Sequence, residues 1–154
     1  MKKSPNIEEH GKPMAAFLLM FHTSRKLMHK INSGGGFGEL TPSQFYALLA
    51  LEHHKGLPLS EISERIHRSP GNMTMVIDNL EKDGWVERVR SKEDRRVVLV
   101  HLTIAGKEKI LLAKKENRQE VEKVMSGLNE DEINTLFEIL EKLSSANSDP
   151  EDES

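Results

Sequence analysis

Residues 91–103 read SKEDRRVVLVHLT and set Asp94, Arg95 and Arg96 at the head of an apolar, β-rich run. The chemistry open to such a group is non-covalent recognition of an anion. Two adjacent arginines at a hairpin tip bury nothing, but an acid beside them holds one guanidinium in place by a bidentate hydrogen bond. Held arginines at a tip suit a narrow, negatively charged target, and the minor groove of DNA is one. Arg88, Arg90 and Lys92 lie on the same hairpin and add to its positive charge. The plain alternative is a solvated turn, or charges that guard a sheet edge against aggregation. What lies upstream decides between the two.

Upstream, Ser69-Pro70 reads as a helix cap followed by a proline at the first helical position. Met73, Val76, Ile77 and Leu80 then recur at i, i+3, i+4 and i+7 as a core face, and Gly84 stops the helix. Gly71, Asn72, Thr74, Met75, Asp78 and Asn79 are left toward the outside. Asparagine can bond adenine bidentately, and threonine can meet a thymine methyl group or a phosphate. Asn72 and Thr74 lie near the N-terminal end, where a reading helix meets base edges. The helix start at Ser69 also favours a phosphate. Small polar residues alone could merely solvate a helix. An Arg-Arg pair after an acid, on a hairpin directly following, turns the combined pattern toward DNA.

These groups need elements to hold them. TPSQFYALLALEHH (41–54) opens a helix with Thr41 as cap, Pro42 at the first position and Gln44 closing a capping box. Phe45, Leu48 and Leu49 continue its apolar stripe and Gly56 ends it. LSEISERIHRS predicts a brief helix from Ser60. WVERVR (85–90) and VVLVHL (97–102) are the two strands of the hairpin. The fold expected is mainly α with a small β-hairpin wing: a winged helix-turn-helix plus N- and C-terminal dimerisation helices. The first helix runs from Met14 to about Ile31. NSGGGFGEL (32–40) reads as a flexible connection; it is no phosphate loop, because no Gly-Lys-Ser/Thr follows and no strand precedes it. A long charged helix spans Thr103 to about Gly127. The last helix starts at Asn129, with Glu132 closing its capping box. The expected division is 1–40 for the N-terminal dimerisation helix and linker, 41–103 for the DNA-binding lobe, 104–146 for the C-terminal dimerisation helices, and 147–154 for an acidic disordered tail.

Composition narrows the rest. The 154 residues contain no cysteine, which excludes disulfides, thiolate catalysis, thiolate zinc sites and a thiol-based peroxide sensor. Net charge is −3, but the acidity sits in residues 116–154 and the middle is mildly basic. Phosphate contact depends on that local basic face rather than on the total. Hydrophobic residues make up 36% and charged residues 31%, lean for a monomer with a large core. Long amphipathic helices packed on a second copy explain that balance. No signal peptide or membrane span is read, so a cytoplasmic protein is expected. Seven histidines raise a metal hypothesis, but His22 and His29 are too far apart on one helix, His53 and His54 diverge, and His67 and His101 have no visible partners. No metal or cofactor is expected. No nucleophile–base pair, paired acids or phosphate loop points to an enzyme.

LTPSQFYALLAL, LSEISERI, SPGNMTMVIDNLEKDGWVERV and EDRRVVLVHLT, in this order and spacing, resemble the MarR family of bacterial winged-helix regulators over roughly residues 14–145. The Asp-Arg-Arg wing followed by a strand and Leu-Thr is the most specific part. The resemblance implies a homodimer that presents two winged helices to a pseudo-palindromic site on double-stranded DNA. Each reading helix then enters a major groove and each wing arginine a minor groove. It also implies a repressor released by a small phenolic or anionic effector, bound between the dimer helices and the DNA-binding lobe. By the match, Asp94 steadies the wing, Arg96 enters the minor groove, Arg95 is a backbone or second groove contact, and Ser69, Asn72 and Thr74 face the groove. Many relatives carry a basic residue where Met75 stands and a serine where Gly71 stands, so the operator cannot be copied from a relative. Fold analogy places an effector pocket near Phe17, Phe21, His22 and Phe45, with core packing as the plainer reading of these aromatics. Two other readings are a winged helix that binds proteins without DNA readout, and a metal-responsive regulator of the same fold.

Overall fold

The computed structural model describes residues 11–66 and 69–147. Among these the order is α1 (Lys12–Ser33), α2 (Pro42–Glu52), β1 (Leu57–Pro58), α3 (Leu59–Arg65), α4 (Pro70–Lys82), β2 (Val86–Arg90), β3 (Val98–Leu102), α5 (Ile104–Met125) and α6 (Glu130–Ser145). The fold is mainly helical with one small antiparallel sheet, and β2–β3 form the wing. The ten N-terminal residues, His67 and Arg68, and residues 148–154 of the expected acidic tail lie outside the described residues.

Local chemistry explains where the helices begin. The Thr41 hydroxyl accepts from the Gln44 backbone N–H, and the Gln44 side chain accepts from the Thr41 N–H at 2.9 Å. Asn129 and Glu132 make the same reciprocal pair at the start of α6, at 3.0 and 2.9 Å. Both capping boxes stand where the sequence places them. Each satisfies two N–H groups that the helix itself cannot. Ser69 occupies the cap position of α4 with extended backbone, but its side chain makes no capping hydrogen bond.

The core lies where α4 meets α2, the sheet and α5. Met73, Ile77 and Leu80 of α4 are fully buried with Leu48, Leu51, Ile62, Val86, Val100 and Ile110. Side chains of this size each gain about 1.5–3 kcal/mol on full burial. That is the energy that orients α4, because its apolar positions can be buried with only one of its faces inward. The wing is tied down at its base. The Thr103 hydroxyl donates to the Gly84 carbonyl at 2.7 Å and accepts from the Gly106 N–H at 3.0 Å, while the Thr103 N–H donates to the Trp85 carbonyl at 3.1 Å. Gly106 has to be glycine: a Cβ there would stand 1.9 Å from the Trp85 carbonyl oxygen.

Two features differ from the sequence expectation. The sheet has a third strand, β1, in the order β1-β3-β2, with Leu57 opposite Val100 and Pro58 opposite Leu99. Two residues are too few to show alternation, and the proline is tolerated because β1 is an edge strand. The second concerns residues 34–40, which form packed turns instead of a flexible connection. Phe37, only 1% exposed, enters the core edge-on to Phe45 at 5.2 Å between ring centroids, and Leu40 is buried beside it. The glycines serve that packing: a Cβ on Gly36 would stand 2.5 Å from the Ile31 side chain, and Gly35 and Gly38 take positive φ.

α6 buries no residue against its own chain, and Phe137 on it is 65% exposed. Ile133, Leu136, Ile139, Leu140 and Leu143 are exposed with it, as are Phe17, Leu19, Met20 and Phe21 on α1. Among the described residues, no helix is long and apolar enough to cross a membrane.

Candidate nucleic-acid interface

The α4 side chains divide as the spacing predicts. Met73, Ile77 and Leu80 have no exposure and Val76 is half-buried, whereas Gly71, Asn72, Thr74, Met75, Asp78 and Asn79 are exposed. Met75 is 67% exposed, unusual for a thioether on a short helix with a well-formed core face. Asn72, Met75 and Asn79 are three and four residues apart and so share one helix stripe. Ser69 is exposed at the head of the helix, and α4 begins at Pro70.

The wing tip is built by its own short hydrogen bonds. Ser91 N–H donates to the Val97 carbonyl and Val97 N–H to the Asp94 carbonyl, both at 2.9 Å. The Ser91 hydroxyl accepts from the backbone N–H groups of Glu93 and Asp94. This turn places the Asp94 carboxylate against Arg96. Asp94 Oδ1 accepts from the Arg96 backbone N–H at 2.9 Å and from its Nε at 3.1 Å, and Oδ2 accepts from Nη2 at 3.0 Å. Hydrogen bonds from the Arg96 side chain, then from its backbone, hold the Asp94 carboxyl below its ordinary value of 3.8. The Arg96 side chain nevertheless remains 90% exposed. It is oriented from one edge and open to solvent over the rest. Arg95, Lys92 and Arg90 are exposed as well, and none has a carboxylate partner among the described residues.

Arg88 behaves differently. Register pairs it with Val100 on the inner face of the wing, two residues from buried Val86. Its guanidinium donates to Asp78 Oδ1 at 2.6 Å and to Glu81 Oε2, and its backbone N–H donates to Glu81 Oε1 at 3.1 Å. Desolvation would lower its pKa, but the hydrogen bonds and charges of Asp78 and Glu81 outweigh this and raise it. Arg88 therefore ties β2 to the outer edge of α4, and fixes the angle between the wing and that helix. Sequence reasoning missed this tie, and missed Asp78 and Glu81 as its acceptors. The signal was available in the two-residue offset from Val86.

The residues of the expected effector pocket differ in burial. Phe45 is buried in the core between Phe37 and Tyr46, at 5.2 and 5.3 Å between centroids. Phe17, Phe21 and His22 stand exposed on α1, where Phe21 meets His22 edge-on at 5.8 Å and the Arg25 guanidinium at 5.7 Å. Among the described residues, no three His, Asp or Glu side chains converge as a metal site.

An outward polar stripe on a helix, beside a charged hairpin whose arginine is held by an acid, supplies hydrogen-bonding and cationic groups of the kind that meet base edges and phosphates. Comparison with known proteins agrees. The MarR family profile matches residues 40–98. The HTH-type transcriptional repressor MdtR of Bacillus subtilis is 32% identical over 107 residues, covering 70% of this chain and 69% of that protein. The HTH-type transcriptional regulator MhqR of the same species is 29% identical over 133 residues, covering 86% and 91%. A mutant MarR of E. coli, solved in complex with operator DNA, superposes with a TM-score of 0.72 at 26% identity, covering 81% of this chain and 90% of that one. The chain belongs to the MarR family of helix-turn-helix transcriptional regulators.

Proposed function

We propose that this regulator is a homodimeric, sequence-specific repressor that leaves its operator when a small effector binds. The observation that carries the DNA reading is the pairing of the α4 stripe with the Asp94–Arg96 tip. α4 enters the major groove with Asn72, Thr74, Met75 and Asn79 toward the base edges, and Gly71 allows close approach. Ser69 and the start of α4 meet a phosphate. Arg96 enters the adjacent minor groove, while Arg90, Lys92 and Arg95 neutralise phosphates. Residues 41–103 form the DNA-binding lobe in this reading. The similarity to the repressor MdtR supports repression, and the E. coli operator complex supports the target.

Support for the dimer comes from the exposed apolar faces of α1 and α6. Water-facing Phe137, Ile139 and Leu143 on a helix that buries nothing of its own chain are costly unless a second copy covers them. Two-fold symmetry then sets the two α4 helices about one DNA turn apart, roughly 34 Å. An effector needs only to bind more tightly to a dimer whose α4 helices are wrongly spaced. Phe17, Phe21 and His22 offer one wall for it, and Phe45 lies too deep to offer another. Sedimentation equilibrium of the chain alone, and with a duplex selected from fragments of the source genome, tests the proposal. Two chains per duplex and protection on one DNA face are expected. A monomer that binds every duplex equally would overturn it.

A further inference from the structure

A second concave surface lies away from the α4 stripe and from the exposed α1 aromatics. It is a cleft of about 530 Å³ between the C-terminal end of α2, strand β3 and the first turn of α5, and Glu52, His53, His54, Lys55, His101 and Lys107 are among its lining residues. Its volume is within the range of small-molecule sites, roughly 300–1,000 Å³. Its one carboxylate is already committed: Lys114 Nζ donates to both Glu52 oxygens, at 2.8 and 2.9 Å. Lys55 and Lys107 line the same cleft without a carboxylate partner among the described residues. On α5, Lys109 is answered by Glu39, Lys114 by Glu52 and Lys123 by Glu120, whereas Lys115 points to open solvent outside the cleft.

The imidazoles complete the wall. Gly56, at φ +107°, lets the chain turn directly beneath His101: a Cβ there would come within 2.5–2.9 Å of three ring atoms. The His101 ring thus packs against Gly56 and lines the cleft from β3, the strand that carries the wing. Lysine supplies only donors, and an imidazole supplies at least one. Against an anion stands the C-terminal end of α2, with a partial charge of roughly −0.5. Two full positive charges outweigh it. Like charges facing one cavity repel unless something negative lies between them.

We infer that this cleft binds a small polyvalent oxyanion, phosphate- or carboxylate-bearing, between Lys55 and Lys107 with His101 as a further donor. The ligand would rest on β3 and would be separate from an effector bound between the dimer helices. Isothermal calorimetry of the full chain, without DNA, tests the site independently of the DNA reading. Inorganic pyrophosphate and succinate are the two probes, with acetate as the monovalent control. Saturable binding of pyrophosphate or of succinate, with acetate inert, is expected, and the probe that binds identifies the oxyanion type. A Lys55→Ala/Lys107→Ala double variant should bind that probe roughly tenfold more weakly or worse. Lys115→Ala, which removes an exposed lysine of α5, should match the wild type, and equal melting temperatures show that both variants fold. No saturable heat with either probe, or an unchanged affinity in the double variant, would overturn the site. So would a double variant that binds neither probe differently but loses DNA affinity and salt dependence, since the lysines would then be phosphate contacts.

Discussion

Replacing Arg88 with alanine separates wing positioning from DNA contact. The guanidinium bridges Asp78 and Glu81 on α4, with side-chain exposures of 28% for Arg88, 56% for Asp78 and 38% for Glu81. A hydrogen bond to a buried charged partner contributes about 1.5–3 kcal/mol, and an exposed ion pair about 0–1. Half-exposed partners put this bridge between the two, at about 1–2 kcal/mol in total. Thermal melting should fall by about 2–8 °C. Glu81 keeps the Arg88 backbone N–H in the variant, so β2 stays paired while the wing loses its fixed angle to α4. Operator affinity should then drop severalfold, with the salt dependence of binding unchanged, because no phosphate contact has been removed. A lost phosphate contact would instead lower the log–log salt slope by about 0.9. Arg88→Lys should recover part of the stability, since one ammonium cannot reproduce the forked contact. Melting curves paired with anisotropy titrations at several salt concentrations provide the readout. An unchanged melting temperature together with a reduced slope would refute the reasoning and make Arg88 a DNA ligand.

Three further outcomes are expected. Phe37→Ala should cost about 3–5 kcal/mol in denaturant unfolding, because it empties a fully buried aromatic site; a loss below 1 kcal/mol would mean the 34–40 segment is a spacer after all. Phe137→Asp should dissociate the proposed dimer in sedimentation experiments and weaken operator binding with it, whereas an intact dimer would move the interface off α6. The Lys109 ammonium, through a hydrogen bond and its charge, holds the Glu39 carboxyl below 4.5. A depressed folded pKa means that this pair stabilises the fold fully above pH 4.5 and loses its effect as pH falls through the folded value. The stability difference between Glu39→Gln and wild type should therefore be flat at neutral pH and shrink in acid, and a difference that grows in acid would contradict it.

Much of this was legible in the residues, for reasons that vary from element to element. Thr41 with Gln44, and Asn129 with Glu132, are local signals that depend on nothing distant, and both formed as read. The core face of α4 was legible because 3.6-residue periodicity allows Met73, Val76, Ile77 and Leu80 only one shared side. The Asp94–Arg96 contact spans two residues and needs only a turn. What escaped depends on distant packing. Phe37 is one apolar residue in a glycine run, and nothing local shows that α2 leaves a space of its shape. β1 exists because β3 offers it an edge, and Leu57-Pro58 carries no period of its own. Phe45 lies on the apolar stripe that helix spacing predicts, but its ring partners Phe37 and Tyr46 are met only once the 34–40 turns have packed. The basic cleft joins residues 52–55 to 101–107, and its charges meet only once the sheet is folded.

The central claim is that α4 reads sequence while Arg96 anchors the wing. A fluorescence-anisotropy titration tests it most directly, using a genome-selected duplex and an unrelated one at two salt concentrations, for wild type and Arg96→Ala. The account predicts tight, salt-sensitive preference for the selected duplex. In the variant, affinity should fall and the salt slope should shrink by about 0.9, with the dimer intact. Equal weak binding of the wild type to both duplexes, or an unchanged affinity and slope in the variant, would contradict it.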